Sequence, residues 1–370
     1  MNLEFSEDQL FVQRSAREFL AKRAGLDVCR RVLESPEPSY DRALWQGVAE
    51  MGWLGAVVPE AHGGAGLGYL EFVLIAEEIG RALAPIPFGP SVYLATEALL
   101  QLGSEEQRRR HLPQLASGAR IGCFAAAEGG ADAVPDELLT RFEAGRLDGE
   151  KLPVQDGAGA DLGVVVARGA AGPTLALVDL HGPGVARAPL ASFDPSRPQA
   201  RIAFDAAPAE ALGPADGSAA IRALLDRAAV MAGFEQLGGA SRALEITREY
   251  ALGRYAFGRP IASFQALKHR LADLYAAIEL ARSNGYYAAW ALSSGSDELE
   301  LAACTFRAAA GDAFELASRE MVQIHGGVGF TWEYDCHLFY RRAKLLAAWL
   351  GTPNTWREML IARLEAREAA

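Results

Sequence analysis

Two stretches of the sequence carry side chains suited to holding a phosphorylated ligand. YALGRYAFGRPIASFQALKHRLADL (250–274) sets Arg254 three residues before Phe257-Gly258, followed by Pro260-Ile261 and Phe264-Gln265. QIHGGVGFTWEYDCHLFYRRAK (323–344) has Gln323 ending a helical run, then Gly326 and Gly327 in a loop, then Phe330. A guanidinium is a planar fork matched to phosphate oxygens. Gly258, Gly326 and Gly327 let the backbone approach a ligand closely or take a positive φ. Gln265 and Gln323 add amide donors and acceptors. Taken singly, a Gly-Gly loop is a capped turn between helices. The chemistry rests on the set.

The elements that must position these residues follow from the patterning. The segment 1–118 is expected to be helical. It opens with a capping box at Ser6-Glu7-Asp8-Gln9 and a hydrophobic staple of Phe5 with Leu10. A turn-rich loop spans 52–72, and a helix resumes near Leu70. From 119 to 214 the texture changes to short β-like runs punctuated by Gly, Asp and Pro, the pattern of a small β-barrel or sandwich. From 215 to 370 the chain is helical again, with long runs at 219–252, 264–292, 297–324 and 336–350. Four such apolar-faced helices make a bundle. The expected fold is therefore multi-domain α+β, in the order α, β, α. The last bundle helix stops at LLAAWLGTPNT, with Gly351 as the residue past its end and Thr352-Pro353 opening a final helix.

Bulk properties exclude several function classes. The chain has 370 residues, 50% apolar and 22% charged, with net charge −11. That balance opposes a general nucleic-acid or anionic-membrane binder, which needs a basic surface. The Arg108–His111 run is short and is expected to be a solvated helix face. Cys29, Cys123, Cys304 and Cys336 have no CxxC spacing, so neither a zinc site nor a disulfide framework is expected, and a reducing cytoplasm fits. No signal-peptide pattern is visible and no apolar run reaches membrane-spanning length.

Together the two stretches resemble the acyl-CoA dehydrogenase family. Its pattern of Tyr-Ala-x-x-Arg-x-x-Phe-Gly-x-Pro-Ile-x-x-Phe-Gln, then Leu-Ala-Asp, is met by Tyr250–Gln265 and Leu271–Asp273. Its Gln-Ile-x-Gly-Gly-x-Gly-Phe-Thr-x-Glu and Arg-x-Ala-Lys are met by Gln323–Glu333 and Arg341–Lys344. Gly52-Trp53-Leu54-Gly55, Pro59-Glu60, Gly63-Gly64 and Glu77-Glu78-Ile79-Gly80 match as well, so the likeness spans the chain. It implies α,β-desaturation of an acyl-CoA thioester. A carboxylate removes the α proton while the flavin of FAD takes a hydride from the β carbon. It also implies a shared cofactor site. Arg254, Phe257, Gln265, Gln323, Gly326 and Gly327 would serve the ADP half of a neighbouring subunit's FAD, and an electron-transfer flavoprotein would take the electrons.

The departures from the family are concentrated. Where the family carries its base before Gly-Thr, this chain has Leu350, and where some branches carry it on the long helix before Tyr250, this chain has Ala228. The family's Thr-Glu-Pro-x-x-Gly-Ser-Asp becomes Ala127-Glu128-Gly129-Gly130-Ala131-Asp132. Its Trp and Thr against the flavin ring become Pro153 and Gln155, while Gly149, Lys151 and Asp161 still mark the fold. Groups given to a neighbour's cofactor are kept. Groups for the chain's own ring and base are lost. This resembles the base-less subunit of bacterial α2β2 acyl-CoA dehydrogenases of steroid side-chain degradation, and Gly329–Leu338 is similar to that subunit type. The first expectation is thus such a subunit, with no catalytic residue of its own. The alternatives are an active homotetramer with a relocated base, Glu235 or Glu128, and a catalytically silent scaffold. Asp226 is the other nearby acid.

Overall fold

The computed structural model describes residues 5–37, 39–130 and 133–369. The first helices are α1 (Glu7–Arg23), α2 (Leu26–Leu33), α3 (Arg42–Glu50) and α4 (Tyr69–Arg81). A π-helical segment (Gly89–Thr96), α5 (Glu97–Leu102) and α6 (Glu105–Ala116) follow. Then come strands β1 (Gly122–Ala125), β2 (Arg141–Glu143), β3 (Arg146–Gln155), β4 (Leu162–Arg168), β5 (Pro173–Asp179), β6 (Val185–Leu190) and β7 (Gln199–Leu212). Helices α7 (Ser218–Gly253), α8 (Gln265–Ser294), α9 (Leu299–His325), α10 (Cys336–Ala348) and α11 (Pro353–Glu368) end the chain. The order is α, β, α, as the patterning predicts.

The chain forms two compact units. One holds Arg30–Gly68 and Pro85–Ala228. Within it β4, β2, β3, β7 and β5 pair in sequence, and β5 pairs back onto β4, closing a five-stranded barrel. Leu147, Val154, Val164, Val166 and Ile202 are fully buried there. Strand β6 is absent from the sequence-based expectation. It pairs with β7 alone and is half exposed along its length, so its residues show little apolar patterning. The Arg108–His111 run is spent within the fold. Arg108 donates to the Leu99 and Leu100 carbonyls at 3.3 and 2.9 Å, Arg109 pairs with Glu105 at 2.9 Å, and Arg110 bonds Glu210.

The other unit holds the chain up to Cys29, Tyr69–Ala84 and everything from Ala229. Helix α1 carries the expected box: Ser6 Oγ accepts from the Gln9 amide at 3.2 Å, and Gln9 Oε1 accepts from the Ser6 amide at 2.9 Å. Helices α4 and α7 cross at backbone contact. A Cβ on Gly80 would lie 1.8 Å from the Glu235 carbonyl oxygen, and one on Gly238 1.8 Å from that of Glu77. The Glu77-Glu78-Ile79-Gly80 run is thereby explained as packing. Gly80 permits the crossing, Ile79 is fully buried, and Glu77 and Glu78 pair with Arg282 and Arg17, each at 2.7 Å. Helix α9 runs through the bundle with Phe306, Ala310, Phe314, Ala317 and Met321 buried at helical spacing. Helix α11 adds to the expected four by packing against α9, with Trp356 buried. No helix among the described residues is long and apolar enough to cross a membrane.

Candidate functional site

The first candidate region is the loop end of the bundle. The Arg254 amide closes α7 on the Tyr250 carbonyl at 2.8 Å, and its own carbonyl accepts from Ile261 at 2.8 Å. Between them Tyr255–Ala256 pairs with Arg259–Pro260 in a short hairpin. Its tip is Phe257, at φ +53°, and Gly258, at φ +76°. A left-handed Phe is uncommon and costs of order 1–3 kcal/mol. Phe257 is also 95% exposed. The Arg259 guanidinium covers the Phe264 ring at 4.2 Å, directly before Gln265 opens α8.

The Gly-rich loop lies at the end of α9. Gly326 has φ +65° and ψ −140°, a conformation closed to L side chains. A Cβ on Gly326 or on Gly327 would meet no atom within 4 Å. The Arg254, Gln265 and Gln323 side chains are exposed and make no hydrogen bond or ion pair among the described residues. From Arg248 to Arg270 the chain carries Arg248, Arg254, Arg259, Lys268 and Arg270 against Glu249 alone, on a protein of net charge −11. The six residues singled out in the sequence thus share this end of the unit, solvent-facing and locally cationic.

The second region is the turn at residue 350. The structure departs here from the expected helix stop. Leu350 itself takes the left-handed conformation at φ +63°, followed by Gly351 at φ +97°. The cause is Arg307, fully buried on α9. Its Nη2 donates to the Trp349 carbonyl at 2.6 Å and to that of Leu346, and its Nη1 bonds Gln236 Oε1. A side chain therefore takes the terminal carbonyls of α10, the work a C-terminal glycine motif usually does. Burial pushes the Arg307 guanidinium down to about 10, still charged at neutral pH. Thr352 caps α11 as expected, accepting from the Thr355 amide at 3.2 Å. Leu350 is 6% exposed.

None of the alternative acids is free for proton transfer. Glu235 is fully buried, with Arg342 at 3.9 Å. Glu128 accepts from the Lys151 ammonium at 2.7 Å and from the Leu139 and Thr140 amides at 2.7 and 2.9 Å. Burial alone would raise its pKa, but these donors outweigh burial and bring it to about 2. Asp226 is buried in the barrel-bearing unit, as is Ala228. Gln155 is 3% exposed with neither amide atom hydrogen-bonded. Ala131 and Asp132 lie outside the described residues.

Sequence reasoning missed Arg307 as the organiser of the 350 turn and Tyr250 with His325 as partners across α7 and α9. A signal for the first was present: one arginine inside the small apolar run AACTFRAAAGDAF. An arginine on a buried face must find acceptors.

The chain order of helices, a closed five-stranded barrel and a helical bundle is that of the acyl-CoA dehydrogenase fold. The chain belongs to the acyl-CoA dehydrogenase family, FAD enzymes acting on the CH–CH bond of acyl-CoA. Residues 6–119 match the acyl-CoA dehydrogenase N-terminal domain and 215–365 the C-terminal domain. The chain is 34% identical over 362 residues to the acyl-CoA dehydrogenase IpdE2 of Mycolicibacterium smegmatis, covering 98% of this chain and 99% of the relative. It is similar to a variant of the Tcur3481–Tcur3483 steroid ACAD, with 33% identity, TM-score 0.90, and 98% and 99% of the two chains covered. It is also similar to the ChsE4–ChsE5 complex of Mycobacterium tuberculosis, with 28% identity, TM-score 0.90, and 99% of each chain covered.

Proposed function

We propose that this chain is the supporting subunit of a heteromeric acyl-CoA dehydrogenase. It would lend Arg254, Phe257, Gln265, Gln323, Gly326 and Gly327 to the FAD of a paralogous subunit and carry no base of its own. One observation carries the reading. The Arg254, Gln265 and Gln323 side chains are exposed with no hydrogen bond or ion pair among the described residues, Phe257 and the two glycines are open to solvent, and the position that the family resemblance gives to the base is a buried leucine. An unpaired guanidinium, two unpaired amides and backbone with room beside it suit a pyrophosphate and its attached ring. FAD, when bound, supplies the two-electron acceptor for the desaturation. Arg254 and the neighbouring cations would balance the pyrophosphate charge, and the glycines would let it approach the backbone. That two similar structures carry paired names, one of them a complex and one a steroid ACAD, supports a paired assembly and a steroid-derived acyl-CoA. An electron-transfer flavoprotein and a cytoplasmic location fit the same reading.

The homotetramer with a relocated base is disfavoured by the same geometry. Glu235 faces Arg342, and Glu128 is held by three donors that make it a poor base. A silent scaffold has no use for an exposed left-handed Phe beside an unpaired Arg. The deciding experiment is the visible spectrum and mass of the chain alone and after co-expression with its paralogue. About one FAD per pair of unlike chains is expected. One FAD per chain in the protein alone, bleached by an acyl-CoA, would overturn the proposal.

A further inference from the structure

The Gly326–Gly327 loop is open on one side and gripped on the other. Tyr250, on the last turn of α7, stacks on His325 with ring centroids 4.1 Å apart and planes at 21°. The Tyr250 hydroxyl donates to the His325 carbonyl at 3.3 Å. His325 Nδ1 lies 2.7 Å from the Met321 carbonyl, which can only accept, so Nδ1 carries the proton. Tyr334 closes a third side edge-on, 6.4 Å from Tyr250 and 6.2 Å from His325. Beyond the open glycines, Gly329 returns the chain to this cluster. A Cβ there would lie 3.0 Å from the His325 Cβ and 2.5 Å from the Val322 carbonyl oxygen. The loop is anchored at both ends, and its first anchor sits on the helix that leads into the Arg254 hairpin.

We propose that Tyr250, His325 and Tyr334 form an aromatic clamp that positions the Gly326–Gly327 backbone against the Arg254 hairpin to receive the dinucleotide half of FAD. This rests on the cofactor-lending role proposed above. The three rings are positioning residues, acting through the loop rather than on the cofactor. A free Gly-Gly segment would lose its conformational freedom on binding, and the clamp moves that ordering cost from binding to folding.

The test uses the FAD-binding assembly of this chain with its paralogue. The FAD dissociation constant is measured from flavin fluorescence, well below the melting temperature of every variant. Tyr250→Phe keeps the stack and loses the hydroxyl; it is expected to weaken FAD by a few-fold, roughly the effect of one neutral hydrogen bond. Tyr250→Ala and His325→Ala remove the stack and are expected to weaken it by about tenfold or more. His325→Phe, which restores a ring, recovers part of that loss. Unchanged affinity in both alanine variants overturns the clamp, even if their melting temperatures fall, because packing alone would then be their role. A wild-type assembly without FAD overturns the clamp and the cofactor-lending role together.

Discussion

Two regions of one helical unit treat their polar groups in opposite ways. At the loop end, the Arg254, Gln265 and Gln323 side chains make no hydrogen bond or ion pair among the described residues, and a Cβ on Gly326 or Gly327 would meet no atom within 4 Å. At the 350 turn, Arg307 spends its charge on two backbone carbonyls and Gln236, while Glu235 faces Arg342. A group whose partners are all inside the fold acts on stability. A group with none inside keeps its interaction for something that arrives. The contrast separates what this chain needs to fold from what it has available to give.

The largest expected effect breaks function without touching the fold. A Cβ at Gly327 would meet no atom within 4 Å and Gly327 is not among the positive-φ glycines, so Gly327→Leu should melt within about 1 °C of wild type. The same side chain would occupy the approach to the loop. FAD content of the assembly, read at the flavin band, is expected to fall at least tenfold. Full FAD content in that variant would show that nothing binds at the open end.

Arg307→Met tests the opposite side of the contrast. It strands the Leu346 and Trp349 carbonyls in a buried setting, and the expected cost is about 3–5 kcal/mol in urea unfolding. A loss below about 1 kcal/mol would mean that Leu350 keeps its left-handed conformation without the arginine.

Glu128 gives a smaller, pH-dependent effect. Its carboxylate titrates lower in the fold, at about 2, than the ordinary glutamate value of 4.5, so its stabilisation is present above the unfolded pKa and disappears as pH falls through the folded one. Glu128→Gln is expected to cost about 1–2 kcal/mol at pH 7, allowing for solvent screening, and progressively less between about pH 4.5 and 2. Parallel unfolding curves of variant and wild type across that range would remove the Lys151 pair from the account.

Much of this organisation is legible in the sequence because it is local. The Ser6 box, the Thr352 cap and the long apolar faces of α7 to α9 depend on neighbours a few residues apart, and each is found where the pattern puts it. Strand β6 is not legible, since a half-exposed edge strand carries almost no alternation. The loop end could be located because its residues sit in two short motifs, and the Tyr250–His325 stack brings those motifs together. The Arg307 network is not. Its partners Gln236, Leu346 and Trp349 lie tens of residues away, and their approach depends on how α7, α9 and α10 pack. Its signature is one arginine in an alanine-rich run, which says that acceptors exist but not which.

The smallest expected effect is the most discriminating about residue 350. Leu350→Glu restores the carboxylate that the family resemblance puts there, in a turn that already has the left-handed backbone. If the proposed lack of a base came down to this one position, the variant alone would reduce its flavin with an acyl-CoA. The contrast between the regions predicts otherwise. The ring-side positions have changed too, to Pro153 and a buried Gln155, and the new carboxylate would enter a site that is 6% exposed beside the apolar end of α10. Burial there raises a carboxyl pKa and favours its neutral form, which cannot take a proton. No bleaching above wild type is therefore expected from the chain alone under anaerobic addition of acyl-CoA. Bleaching would confine the loss to one residue and make the closed region a dormant active site rather than a strut.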